Sequence, residues 1–241
     1  MKTLSCLIGM FVLSGCAMLP SPVAPPLPSA AATPPSEWME YALPGKRATH
    51  YTQVILDGRP VVHATANAAA SVLRRKVRLE PSELGTVHFS WRVAELIHRA
   101  DLSDRDQSDS PARLILAFDG DHSRLTLRNQ MTFDLAQAVS GERPPFATLM
   151  YVWDAKAAPE TVIHSGRTDR VRKIVVESGG DRLGKWRHYE RDIAADFRKS
   201  FGEEPGALVS VGLMTDADNT RAKAEAWYGE VRLKGSDGRA R

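Results

Sequence analysis

Apolar and polar side chains alternate along most of this chain with a period of two. "TVHFSWRVAEL" sets Phe89, Trp91 and Val93 on one face and His88, Ser90 and Arg92 on the other, the pattern of a half-buried strand. "SVLRRKVRLE" aligns Leu73, Val77 and Leu79 in the same way. "TQVILDGRPVVHATA" reads as two strands joined at Asp57-Gly58, a strong hairpin dipeptide. "ARLILAFDGD" is a near-continuous apolar run ending in a turn, which predicts a central strand covered on both faces. "ATLMYVWDA", "DRVRKIVVESG", "ALVSVGLMTD" and "EAWYGEVRL" continue the series. The helical period is clear in "ERDIAADFRKSFGEEPG", where Ile193, Phe197 and Phe201 lie four apart and Gly202 marks a stop. The pattern predicts an all-β domain: a jelly-roll-like two-sheet β-sandwich over residues 37–235, with one or two short helices. Residues 236–241 are expected to form a disordered tail.

The first residues do not fit that pattern. Lys2 precedes a short apolar run, Leu4 to Leu13, too short to span a bilayer. "LSGC" follows, ending at Cys16. This arrangement resembles the bacterial lipobox, which implies a signal peptide over 1–15 and a lipid on Cys16. Ala17 resembles the address of outer-membrane lipoproteins, so the expected location is the cell envelope, facing the periplasm. Residues 16–36 hold the lipidated Cys and a tether with seven of the chain's fifteen prolines and no charge. Proline biases such a segment toward extended geometry, and at ~3 Å per residue it would reach roughly 60 Å. The expected membrane contact is therefore an anchor, not a span.

Charge and cysteine content narrow the function. A formal charge of +3 is too mild to imply nucleic acid. Of two cysteines, Cys6 falls in the signal and Cys16 is consumed by lipid, leaving no disulfide. Arg74, Lys76 and Arg78 share one strand face, either solvated or suited to anionic lipid or polysaccharide. Nucleophile elbow, zinc-helix, phosphate-loop and dinucleotide motifs are all missing, and the histidines lack ligand spacing.

Several long motifs occur in order: "ASVLRRKV", "FSWRV", "ARLILAFDGD", "PFATLMYVWD", "RVRKIVVESGGDRLGKWRHYERDIAADFRKSFGEEPG" and "VGLMTDADNTRAKAEAWYGEVRL". Together they resemble an uncharacterised bacterial family, domain of unknown function three-zero-four-seven, from about Tyr41 to Leu233. That family implies no established activity. "KIVVESGGDRLGKWRHYERDI" and the closing strands also look like carbohydrate-binding jelly rolls, an analogy of fold.

The candidate site residues follow from strand faces and loops. Tyr151 and Trp153 lie two apart, and with Arg92 they would form a platform for a sugar ring. Asp101, Asp119, Asp121, Asp216, Asp218 and Asn219 would stand at its rim, with Asp101 able to pair with Arg92 or Arg113. Trp91, Trp186 and Trp227 read as core or rim packing. No cofactor and no metal ligand set is expected. Asp216, Asp218 and Thr220 leave a structural Ca²⁺ open, but Arg221 stands where an EF-hand needs Gly. Otherwise these side chains cap their own turn. The favoured expectation is a non-catalytic lipoprotein that binds a glycan or another envelope ligand. Two alternatives stay open: a carbohydrate-active hydrolase using paired Asp residues, and an envelope assembly partner with no small ligand. No catalytic residue is assigned.

Overall fold

The computed structural model describes residues 37–241. The expected signal peptide over 1–15, the lipid on Cys16 and the tether over 16–36 lie outside the described residues. The domain is a two-sheet, jelly-roll-like β-sandwich, as the alternation predicts. The seven-stranded sheet runs in the order β1 (Trp38–Ala42), β4 (Ser71–Leu79), β11 (Leu208–Asp216), β6 (Ser110–Phe118), β7 (Ala147–Asp154), β9 (Val171–Ser178), β8 (Val162–His164). The other sheet runs β10 (Arg187–Asp192), β5 (Leu84–Val93), β12 (Lys223–Tyr228), β3 (Arg59–Asn67), β2 (His50–Leu56), with β13 (Arg232–Gly235) also on β5. All pairs are antiparallel except β7 with β9.

Each sheet turns every second side chain inward. β5 buries Phe89, Trp91 and Val93 against Leu114, Leu116 and Phe118 of β6 and Leu149, Tyr151 and Trp153 of β7. Phe89 is the hinge of an aromatic cluster, stacked on Tyr151 at 5.5 Å and on Tyr189 at 5.0 Å, with Trp91 edge-on at 5.1 Å. The hairpin at Asp57-Gly58 forms as its dipeptide predicts: both residues take positive φ, 53° and 73°, which a two-residue turn between twisted strands requires.

Among the described residues, two α-helices lie between strands. α2 (Ile193–Phe201) is the one read from the sequence. Asp192 caps its start by accepting from the Ala195 N–H at 2.8 Å, and Gly202 ends it at φ 70°. α1 (Leu127–Ser140) was not singled out by periodicity, because its four-residue apolar repeat faces solvent while Asn129 and Phe133 are buried. Residues 236–241 turn back on β13: the Arg241 N–H donates to the Leu233 carbonyl at 2.9 Å, and Ala240 bridges Lys234.

Candidate functional site

The expected platform does not assemble. Tyr151 and Trp153 share a face, but it is the inner one. They are 0 % and 1 % exposed, with Tyr151 Oη donating to Asp196 at 2.9 Å and Trp153 Nε1 to the Gly179 carbonyl at 3.0 Å. Around these two residues β7 is buried on both faces, so period two pairs them without showing which way they point. Arg92 lies on the outer face of the opposite sheet. There it sits 5.5 Å from the Trp227 ring and 3.9 Å from the Asp57 carboxylate, and Trp227 stacks on His63 at 5.0 Å.

The rim residues scatter as well. Asp101 accepts from the backbone and hydroxyl of Ser103 and faces Lys156 at 3.5 Å, so it pairs with neither Arg92 nor Arg113. Asp119 is exposed near Arg78, and Asp121 caps the short turn at Ser123. Only Asp216, Asp218 and Asn219 come together, at one end of the sandwich.

That end is a buried charge network. Asp216 closes β11 and meets Arg113 of β6 at 2.7 Å, with both side chains under 10 % exposed. Burial raises the Asp216 carboxyl above the ordinary carboxylate range, against the pull of Arg113. Asp218 pairs with Lys46. The cap of the 216–220 loop is not the loop's own. Asp109, from the acidic segment before β6, accepts from the backbone N–H groups of Asn219 and Thr220 at 3.1 and 2.7 Å and from the Thr220 hydroxyl at 2.6 Å. Lys173 of β9 reaches the same segment, donating to the Leu102 carbonyl at 2.9 Å and to Ser108 Oγ at 2.8 Å. Its ammonium is pushed down to about 7, by burial first and then by Arg113. Asp109, Asp216 and Asp218 bring carboxylate oxygens within 4.8 Å of one another, the reach of one cation. Lys46 and Arg113 already bring positive charge to two of the three. The network pins residues 102–109 against the outer face of the larger sheet, where Leu102 packs on Val152, Ile163 and Val175, while Ile97 and Ala100 pack with Ala66, Ala217 and Ala224.

Beside this segment the same outer face is open. A groove of about 400 Å³ runs over β4, β11, β6 and β7. Its floor combines small residues with aliphatic ones: Gly212, Ala117, Ser210, Thr148, Val72 and Ile115. Gly212 keeps the floor flat, since a Cβ there would meet Val72 Cγ1 at 2.6 Å. One wall carries Tyr41, with the Arg74 guanidinium 4.4 Å from its ring centroid. Arg74 in turn holds Glu142 through two bonds, at 2.8 and 3.0 Å. Lys76 and Arg143 also line the groove, and neither makes an ion pair among the described residues. Among the described residues, Glu142 is the one carboxylate along it. Arg74 and Lys76 belong to the basic strip visible in the sequence, whereas Arg78 turns to Glu80. Tyr41 and Arg143 were not legible, because they arrive from an edge strand and from the loop after α1.

A family model described as "Protein of unknown function (DUF3047)" matches residues 36–232. The chain belongs to that family. The DUF3047 match takes in the whole sandwich up to the start of β13, including every residue of the groove. No curated protein matches the chain. Among solved structures, the xyloglucanase domain of NopAA, a type three effector from Sinorhizobium fredii, in complex with cellobiose, is similar over 83 % of this chain and 99 % of that one. The TM-score is 0.38 and the identity 9 %, a weak likeness that says nothing of what this DUF3047 chain binds.

Proposed function

We propose that this chain is an envelope lipoprotein, anchored through Cys16, whose sandwich binds an acidic glycan without cleaving it. The observation that carries this reading is the groove on the outer face of the seven-stranded sheet. A flat floor of small and aliphatic side chains accepts the apolar face of a sugar ring, and Tyr41 offers a ring on which to stack it. The paired Arg74 and Glu142 present fixed donors and acceptors to hydroxyls. Lys76 and Arg143, with no carboxylate partner of their own among the described residues, suit the carboxylate or phosphate groups of the ligand. Hydrolysis through two carboxylates has less support here. Among the described residues Glu142 is the groove's one acid and is already held by Arg74, whereas a glycosidase needs two acids flanking one bond.

The test is affinity. Acidic bacterial polysaccharides should bind more tightly than neutral ones of equal length. Tyr41→Ala and Arg143→Ala together should weaken binding by at least tenfold, about 1.4 kcal/mol, with the fold intact by circular dichroism. Binding that ignores both substitutions, or no binding to any glycan in a broad panel, refutes the proposal.

A further inference from the structure

Helix α1 is inside out. Asn129 and Phe133 are its buried side chains, whereas Leu127, Met131, Leu135 and Val139 stand 72, 65, 67 and 62 % exposed. These four recur every fourth residue, so they form one stripe about 18 Å long that drifts ~40° per step. A helix facing water normally turns such a stripe to the core. Here the inward face is held by Phe133, which packs into the core, and by polar contacts: Asn129 donates to Asp169 and accepts from the Thr168 hydroxyl.

A pocket of about 240 Å³ opens at the stripe's N-terminal end, and Arg128, Arg167 and Arg172 line it. Arg128 follows Leu127 and lies on the stripe's side of the helix at ~100° per residue. Neither Arg128 nor Arg167 makes an ion pair among the described residues. Arg172 donates its Nε to the Ser200 carbonyl at 3.2 Å, and Asp169, the pocket's one carboxylate among the described residues, is held by Asn129. Apolar side chains beside Arg128 and Arg167, which lack carboxylate partners among the described residues, match the boundary of an anionic bilayer, with acyl chains below and phosphate above.

We propose that α1 docks on an anionic phospholipid surface. Leu127, Met131, Leu135 and Val139 enter the acyl boundary, and a lipid phosphate is taken by Arg128, Arg167 and Arg172. This rests on the membrane attachment proposed through Cys16, because the segment between Cys16 and Trp38, at ~3 Å per residue, is long enough for the domain to lie down on its own bilayer. It is independent of the glycan groove.

The experiment is hydrogen exchange on the full chain, with vesicles of phosphatidylcholine alone or mixed with phosphatidylglycerol, and co-sedimentation measured in parallel. Exchange over 127–140 should slow at least ~10-fold on the mixed vesicles relative to the neutral ones. Met131→Ser with Leu135→Ser should abolish that protection, and Arg128→Ala with Arg167→Ala should cut it by a similar factor. Three results overturn the proposal: a chain that sediments with anionic vesicles while 127–140 exchanges as in solution, protection that rises with protein concentration without vesicles, which makes the occupant a second copy, or equal protection by inorganic phosphate alone. A chain that does not sediment with either vesicle refutes the attachment through Cys16 as well.

Discussion

Lys173 sits in the charge network with its side chain almost wholly buried, 4 % exposed, and its ammonium pushed down to about 7 from the ordinary 10.5. The folded protein therefore releases this proton as pH rises through 7, while the unfolded chain keeps it until about 10.5. Between those values the unfolded state binds more protons, so Lys173 makes stability increase with pH. At ~1.4 kcal/mol per pH unit, the gain from pH 7 to pH 10 approaches about 4 kcal/mol. Lys173→Met keeps much of the side chain's length and removes the titration. Urea unfolding of both proteins at several pH values separates this group from the others, which titrate in both and cancel in the difference. Wild type should gain on the variant across that range by about 3–4 kcal/mol. A difference constant to within about 1 kcal/mol would show that Lys173 is not desolvated as its surroundings imply.

Other substitutions test other parts of the fold. Trp153→Ala should cost about 3–5 kcal/mol in urea unfolding, as a core truncation does; unchanged stability would return Trp153 to the surface. Gly206→Ala drives a Cβ into the Asp119 carbonyl and should cost about 1–3 kcal/mol or more. Gly141→Ala, at φ 74° with nothing within 4 Å, should cost about 1 kcal/mol, so a reversed order in thermal melts would contradict the packing. Arg191 and then Lys199 hold the Glu160 carboxyl at about 2, below its unfolded value, so its contribution is present above about 4.5 and fades as pH falls toward 2. The stability difference between wild type and Glu160→Gln should shrink over that window, and a difference that widens on acidification would reverse the assignment.

How much was legible follows from what a period can report. β5 and β6 were readable because Trp91 and Phe89 alternate with Arg92 and Ser90, and because the run of β6 is apolar on both sides. β7 is apolar on both sides too, so the shared face of Tyr151 and Trp153 was legible and its direction was not. α1 was missed because its apolar residues face away from the core that gives helix periodicity its meaning. At the site, the strip of Arg74 and Lys76 stood out from strand alternation alone. Tyr41 and Arg143 required the strand order, which brings β1 beside β4 and drops the 141–145 loop over β6 and β7. The Asp109 clamp on Thr220 spans 111 residues of sequence, beyond any local pattern.

The most direct measurement is an amide chemical-shift titration of the full chain with an acidic oligosaccharide. The groove reading predicts shifts centred on Gly212, Ser210, Ala117 and Thr148, saturating with one affinity. Shifts centred instead on Trp227 and His63 of the opposite sheet, or none at all, would contradict it.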